Sequence, residues 1–271
     1  MLKERILTSL WGLPLVTIVN WFDRPFHWFT VVAVIWTVLA VREFYRLADV
    51  HRTPLAYFGL TGAVLLMLSP YRTNLLPFIL TATLVLSLAW LLRHNPREGA
   101  FNSWVWMISG MLCLGWLLSY FVSLRIGDAG RNWVYLAMFG TFGCDTLAYF
   151  IGTPWGRHKL APRISPGKTW EGAVAGVLGS VVVSLIFVLP TPLQLPLSYG
   201  QAILLGLLVS VLGQLGGLVV SLFKRNRGVK DSGNLLPGHG GMLDRTDSLL
   251  FAGATVYYFA LALRAGWLNW L

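Results

Sequence analysis

From Gly172 to Phe223 the chain carries no Lys, Arg, Asp or Glu, and the run is broken midway by Pro190, Pro192 and Pro196. A helix rises 1.5 Å per residue, so about 20 apolar residues cross a hydrocarbon core of about 30 Å. The run is too long for one crossing and reads as two membrane helices joined by a tight turn at the prolines. The rest of the chain agrees. Of 271 residues, 56% are hydrophobic and 12% charged, with a mean hydropathy of +0.65; ordinary soluble domains carry roughly 25% charged residues. The sequence therefore predicts an all-α, polytopic integral membrane protein. Read between charged clusters and prolines, spans fall near 6–22, 27–41, 54–71, 74–92, 103–124, 132–152, 172–190, 201–223 and 248–266, or about nine transmembrane helices.

The 21 Lys and Arg residues orient these spans, because basic flanks stay cytoplasmic. With the N-terminus cytoplasmic, the N-terminus and the connections after spans 2, 4, 6 and 8 hold 2, 3, 2, 4 and 5 of them; the opposite side holds Arg24, Arg72, Arg125, Arg131 and Arg264. The expected orientation is N-terminus in, C-terminus out. Arg5, Arg42, Glu43 and Arg46 read as interfacial anchors. The N-terminal run lacks a small-residue cleavage site and is expected to be a retained first span. Cys113 and Cys144 both fall inside apolar spans, which excludes a disulfide framework and a Cys-based metal site.

The net charge of +10 does not point to nucleic acid, since the cations lie in short connections rather than on a separable basic domain. Anionic headgroups or a phosphorylated substrate account for them better. One membrane domain, residues 1–271, is expected. Residues 1–131 are expected to form N-terminal helices of unassigned role, and residues 132–271 the C-terminal helices that carry two cytoplasmic motif connections, 153–171 and 224–247.

In the first connection, Asp145 lies in an otherwise apolar span, where a carboxylate is costly unless it faces a hydrated cavity or a partner. Its role is functional, or it pairs with a nearby Arg or Lys at the interface. Downstream, Arg157, His158, Lys159, Arg163 and Lys168 alternate with prolines and glycines. Such cations suit several phosphate oxygens, and the plain alternative is an anchor on anionic lipid. In "SPGKTWEG", Ser165 or Thr169 can donate to phosphate while Lys168 supplies a point charge. The string is not a Walker A loop, whose first glycine would fall at Pro162.

The second connection contains "KDSGNLLPGHGGMLDRTDS", Lys230 to Ser248. Asp231, Asp244 and Asp247 are hard oxygen donors, and with one His and no Cys they favour Mg²⁺ over zinc. Asp244 and Asp247, three apart, share a face if a helix runs through them. Lys224, Arg225, Arg227, Lys230 and Arg245 surround them, which suits metal-assisted transfer on phosphate. Gly238, Gly240 and Gly241 around His239 allow a ligand to approach closely. The alternative is a solvated, salt-bridged loop.

The string Ser221-x-x-Lys224-Arg225-x-x-x-x-Lys230-Asp231-x-Gly233-x-x-Leu236-Pro237-x-His239-Gly240-Gly241-x-x-Asp244-Arg245-x-Asp247 closely resembles the signature of the phosphatidate cytidylyltransferase (CDP-diacylglycerol synthase) family, and "GRHKLAPRISPGKTWEG" resembles its second motif. The resemblance is strong over roughly residues 140 to 250 and hydropathic elsewhere. It implies transfer of a cytidylyl group from CTP to phosphatidic acid at an intramembrane, Mg²⁺-dependent centre, with one cation or two. It implies catalytic roles for Asp244, Lys230, Asp231 and Arg245, and metal contact by Asp244, with Asp247 and Asp231 as ligands or supports; Asp145 is a further candidate ligand. It implies substrate contact by Lys224, Arg225, His239, His158, Lys159, Ser165 and Lys168. Membrane lipids as surroundings, a bacterial inner-membrane location facing the cytoplasm and a homodimer follow from the same likeness.

The pattern departs at one place. Where the family reads Gly-Asp-Leu-x-Glu-Ser, this chain reads Gly216-Gly217-Leu218-Val219-Val220-Ser221, so the metal site is rebuilt or lacks a carboxylate. Asp145, Asp231 and the neutral carbonyl of Gln214 are the candidate replacements. Two rival functions follow: a weakened or substrate-altered paralogue that binds lipid phosphate or liponucleotide, and, less favoured, a lipid transporter whose pathway is lined by Asp145 and the loop charges.

Overall fold

A computed structural model describes residues 14–23, 26–93, 99–235 and 240–271. Eight helices follow one another: α1 (Trp28–Leu47), α2 (Pro54–Leu68), α3 (Leu76–Arg93), α4 (Ala100–Ile126), α5 (Gly130–Trp155), α6 (Trp170–Ile186), α7 (Tyr199–Asn226) and α8 (Leu249–Arg264). Residues 14–21 are also helical. The remainder of the expected first span, with Arg5, lies outside the described residues, as do Arg24 and His239. Among the described residues, six helical stretches are long and apolar enough to cross a membrane, α2 and α3 counting with their flanking 3₁₀ turns as Pro54–Tyr71 and Thr73–Arg93; α6 and α8 are apolar but shorter. The protein is thus a polytopic helical membrane protein.

Three local features differ from the sequence reading. First, α1 runs to Leu47 instead of ending at the charged Arg42, because Glu43 is paid for by partners described below. Second, the break in the charge-free run is not a tight turn. Residues 187–198 form an irregular connection, pinned by Arg131 Nη2 and Asn132 Nδ2 donating to the Pro192 carbonyl at 3.0 and 3.3 Å and by Asn132 donating to the Gln194 carbonyl at 3.0 Å. Third, the all-α class has one exception: β1 (Lys159–Ala161) and β2 (Ser165–Thr169) form an antiparallel hairpin. Its turn is closed by the Ile164 N–H donating to the Ala161 carbonyl at 3.1 Å, with Pro162 at the second turn position, where its fixed φ is suitable.

The chain divides into two compact units, one of residues 1–126 with 227–246 and the other of residues 127–226 with 247–271. In the first, α1, α2 and α4 pack around Phe44, Tyr45, Leu66, Met107 and Met111, all at most 1% exposed. The Tyr45 hydroxyl donates to the Met107 carbonyl at 2.8 Å, which satisfies the polar end of a buried ring. α4 contains a π-helical stretch, Met111–Trp116, where Gly115 lies against the backbone of Ala63 in α2. Residues 227–246 belong with these helices: Arg227 donates to the Ala48 carbonyl at 2.9 Å and lies 5.1 Å over the Trp106 ring, and the Trp36 indole donates to Thr246 Oγ1 at 2.9 Å.

In the second unit, α5 and α6 pack through small residues, with Gly143 against the Gly179 carbonyl and Gly176 against Cys144. Between lipid-facing helices, small residues permit the close backbone approach that dispersion requires. α7 meets the entry to α8 in the same manner: a Cβ at Gly216 would lie 2.6 Å from the Asp247 carbonyl oxygen.

Candidate active site

Each unit gathers its own polar cluster. In the second, the hairpin that joins α5 to α6 carries Lys168 beside the helix start, where Thr169 Oγ1 accepts the Gly172 N–H at 3.2 Å as an N-cap. Lys168 is half-buried and extends to α7, its Nζ 2.7 Å from the point where a Cβ on Gly217 would stand. Asp247 Oδ2 is 3.8 Å from the same point. The ammonium therefore fills the notch left by a missing side chain. Asp247 Oδ1 accepts from the Ser248 N–H at 2.7 Å, and Ser248 Oγ is 2.9 Å from Asp145 Oδ2 and 3.3 Å from Asp247 Oδ1. One hydroxyl thus bridges two carboxylates, with an ammonium beside one of them. Asp145, though in an apolar helix, is exposed on the surface of α5, with Ser248 Oγ as a polar partner.

In the first unit, Asp244 Oδ2 accepts three bonds, from Ser232 N–H (2.9 Å), Ser232 Oγ (2.9 Å) and Gly241 N–H (3.0 Å). The same Ser232 hydroxyl lies 2.9 Å from Glu43 Oε2, which also accepts the Leu243 N–H at 2.9 Å. Gly240 has φ +81°, a left-handed conformation that glycine adopts without strain, and its missing Cβ leaves room for Asp244. A Cβ on Gly241 would collide with Ser232 Oγ and Glu43 Oε2. The glycines of the signature make room for the protein's own carboxylates.

The other sequence candidates are placed as follows. Asp231 is exposed, its Cβ near Gly240 in the first cluster. His158, exposed, has Nδ1 2.7 Å from Glu171 Oε1. Arg225 donates through Nε to the Ile164 carbonyl at 3.1 Å and holds the hairpin turn from the end of α7. Lys159 in β1 is exposed and Ser165 in β2 is half-buried; Lys230 and Arg245 are exposed and Lys224 is half-buried. Gln214 spends its amide N–H groups on the Ala173 carbonyl (3.2 Å) and Ser210 Oγ (3.0 Å). Asp244 and Asp247 do not share a helix. Asp244 sits in a 3₁₀ turn, Leu243–Arg245, and α8 starts only at Leu249, because Thr246 Oγ1 and the Arg245 N–H both take the Met242 carbonyl.

Sequence reasoning missed Glu43, Ser232 and Ser248. Glu43 stands three residues after the buried Ala40, a spacing that puts both on one helical face, but its flanking arginines suggested an interface. The two serines carry no distinguishing pattern.

The donor set is compatible with Mg²⁺. Among the described residues no three His, Cys, Asp or Glu side chains form a closed cage. Mg²⁺ rarely needs one, since it is usually held by one or two carboxylates and completes its octahedron with water and substrate phosphates. Asp145, exposed, and Asp247, half-buried, converge on Ser248 Oγ and offer that arrangement.

Apolar helices that present carboxylates, an ammonium and a hairpin of cations define a membrane protein equipped to handle phosphate. Comparison with known proteins makes the class specific: residues 3–263 match the cytidylyltransferase family, and the chain belongs to it. It is 36% identical over 277 residues to the phosphatidate cytidylyltransferase of Pseudomonas aeruginosa, covering 98% of this chain and 99% of that one. It is 45% identical over 151 residues to the Bacillus subtilis phosphatidate cytidylyltransferase, covering 55% of each chain. It is also 37% identical over 228 residues to the uncharacterized protein YnbB of Escherichia coli, covering 82% of this chain and 75% of that one.

Proposed function

We propose that this protein transfers the cytidylyl group of CTP to phosphatidic acid, releasing pyrophosphate and forming CDP-diacylglycerol for phospholipid synthesis. The observation that carries the reading is the cluster of Asp145, Asp247 and Lys168 around Ser248 and Gly217, in a chain similar end to end to a phosphatidate cytidylyltransferase. A phosphate oxygen of phosphatidic acid attacks the α-phosphorus of CTP, and the bond from that phosphorus to the β-bridging oxygen breaks. The nucleophile arrives ionised, so no strong base is required. The obstacle is repulsion between two polyanions, met by fixed cations and by alignment.

In this reading Asp145 and Asp247 would hold Mg²⁺, with Asp244 and Asp231 supporting the loop that precedes Asp247. The metal, when bound, neutralises phosphate oxygens. Lys168 counters the carboxylates where Gly217 supplies none, Lys159, Lys224 and Arg225 add cations to the same unit, and Lys230 and Arg245 are phosphate-binding candidates on the other. Nine spans with the N-terminus inside, a site facing the cytoplasm at a bacterial inner membrane, and a homodimer are the expectations that travel with the reading; the basic-residue distribution supports the orientation.

Purified protein in liposomes, given labelled CTP, phosphatidic acid and Mg²⁺, tests it. Labelled CDP-diacylglycerol from the wild type and none from Asp247→Ala is the expected result. CTP or lipid binding without product would establish the second reading, a weakened paralogue, which Gly217 specifically favours.

A further inference from the structure

Glu43 and Asp23 are the two buried carboxylates among the described residues. Asp23 accepts the Phe29 N–H at 2.7 Å and has Arg125 Nη2 at 3.6 Å. Glu43 is different. It is 4% exposed, and its partners lie in the signature loop: Oε2 takes Ser232 Oγ and the Leu243 N–H. Oε1 is buried with no hydrogen-bond partner among the described residues. A buried carboxylate with an unsatisfied oxygen is costly, and an apolar residue would serve the packing of α1 at less cost. What Glu43 contributes must therefore lie in the loop.

That contribution is geometrical. Ser232 Oγ is shared between Glu43 Oε2 and Asp244 Oδ2, and Leu243, held by Glu43, is the residue immediately before Asp244. The Gly241 N–H that bonds Asp244 belongs to a glycine whose missing Cβ makes room for Glu43. The Ser232 and Gly241 groups that bond the Asp244 carboxylate are thus each one step from Glu43. Gly233 on the other side is also shaped to it, its hypothetical Cβ 3.0 Å from Glu43 Oε1.

We propose that Glu43 is a positioning residue: from α1 it holds Ser232 and the Gly241–Leu243 stretch in the arrangement that orients the Asp244 carboxylate. It touches no substrate and acts through Ser232 and the Leu243 amide. The consequence for turnover rests on the cytidylyltransferase reading; the consequence for the loop does not.

The test compares wild type with Glu43→Ala, Glu43→Gln and Ser232→Ala by amide hydrogen exchange and by turnover. Loss of Glu43 should raise exchange at Leu243, Gly241 and Ser232 by about 10-fold or more while amides of residues 30–40 in α1 keep their protection. Glu43→Gln retains an acceptor and the side-chain shape, so it should fall between wild type and Glu43→Ala. Ser232→Ala should free Gly241 while leaving the Leu243 amide protected. In turnover, Glu43→Ala should lower kcat about 10–100-fold with KM for CTP little changed, and Glu43→Gln should recover part of the loss. Unchanged loop exchange in Glu43→Ala would overturn the proposal, as would an equal loss of protection along α1, which marks a role in folding only. If Glu43→Ala does not fold, Glu43→Gln and Ser232→Ala decide the matter by the same amides. A wild type that makes no CDP-diacylglycerol would defeat the functional reading, while the exchange result still decides whether Glu43 sets the loop.

Discussion

Both units bridge two carboxylates with a single serine hydroxyl: Ser232 between Glu43 and Asp244 in one, Ser248 between Asp145 and Asp247 in the other. The motif is the same and the surroundings differ. Around Ser232 the oxygens are buried or half-buried and take backbone N–H groups, so their bonds are spent on the protein itself. Around Ser248 the Asp145 carboxylate is exposed, an ammonium stands near the Gly217 notch, and Asp247 Oδ1 accepts the Ser248 N–H. Backbone donors on a buried carboxylate oxygen make it a structural pin; exposure and a neighbouring cation leave a carboxylate fit to meet a metal or a phosphate. A shared arrangement of serine and carboxylates thus serves two kinds of work, and burial separates them.

The sharpest way to break this comparison is to remove one carboxylate from each cluster. Asp247→Ala should cost about 100-fold or more in turnover, the scale on which a single preorganised charge acts in a transition state, with little change in melting temperature. Glu43→Ala should do the reverse in emphasis. Stranding the buried Leu243 amide, while Ser232 Oγ keeps Asp244 Oδ2, should cost about 1–3 kcal/mol of stability, read by thermal unfolding in detergent, with a smaller loss of rate. If both variants lose rate alone, the distinction between pin and ligand site fails.

Gly241→Ala comes next, because its Cβ meets Ser232 Oγ and Glu43 Oε2 within a buried loop; about 1–3 kcal/mol is expected, measured in the same unfolding experiment. Lys168→Met tests the other cluster. Without the ammonium in the Gly217 notch, turnover should fall about 10-fold and the requirement for Mg²⁺ should rise. The smallest effect expected is that of Gly240→Ala, about 1 kcal/mol from the left-handed backbone together with crowding of Asp244. A Gly240→Ala variant as damaging as Glu43→Ala would show that the loop is held by its backbone turn and not by the carboxylate pin.

Much of this site was legible because charge is scarce in an apolar chain. Asp145, Lys168, Asp244 and Asp247 stood out as polar groups that a membrane helix or a short connection does not need. Glu43 did not, since it lies between Arg42 and Arg46 in a region that the distribution of basic residues already explained. Its partners are Ser232 and Leu243, nearly 200 positions away, and no local pattern encodes that contact. The hairpin was also hidden. Pro162, Pro166 and Gly167 read as loop, and a two-stranded ribbon tolerates Pro166 because each strand has an unpaired edge. The extension of α1 to Leu47 escaped for the same reason as Glu43: a charged residue looked like an end when it had a partner.

The departure at Gly217 gains meaning from Lys168. A glycine there is the condition for the ammonium to approach α7, so the position that lacks a carboxylate has gained a cation. Gly217→Asp would set an aspartate against Lys168 Nζ and beside Asp247. Turnover of this variant that rises at low Mg²⁺ would mark a site short of one ligand, and unchanged or lower turnover a site rebuilt around Lys168.

The most direct measurement is a Mg²⁺ titration of CDP-diacylglycerol synthesis in liposomes for wild type, Asp145→Asn and Asp247→Asn. If Asp145 and Asp247 hold the metal at which phosphate chemistry occurs, each variant should need about 10-fold more Mg²⁺ for half-maximal rate, with maximal turnover reduced as well. Wild-type turnover that is matched by both variants at every Mg²⁺ concentration would contradict the account.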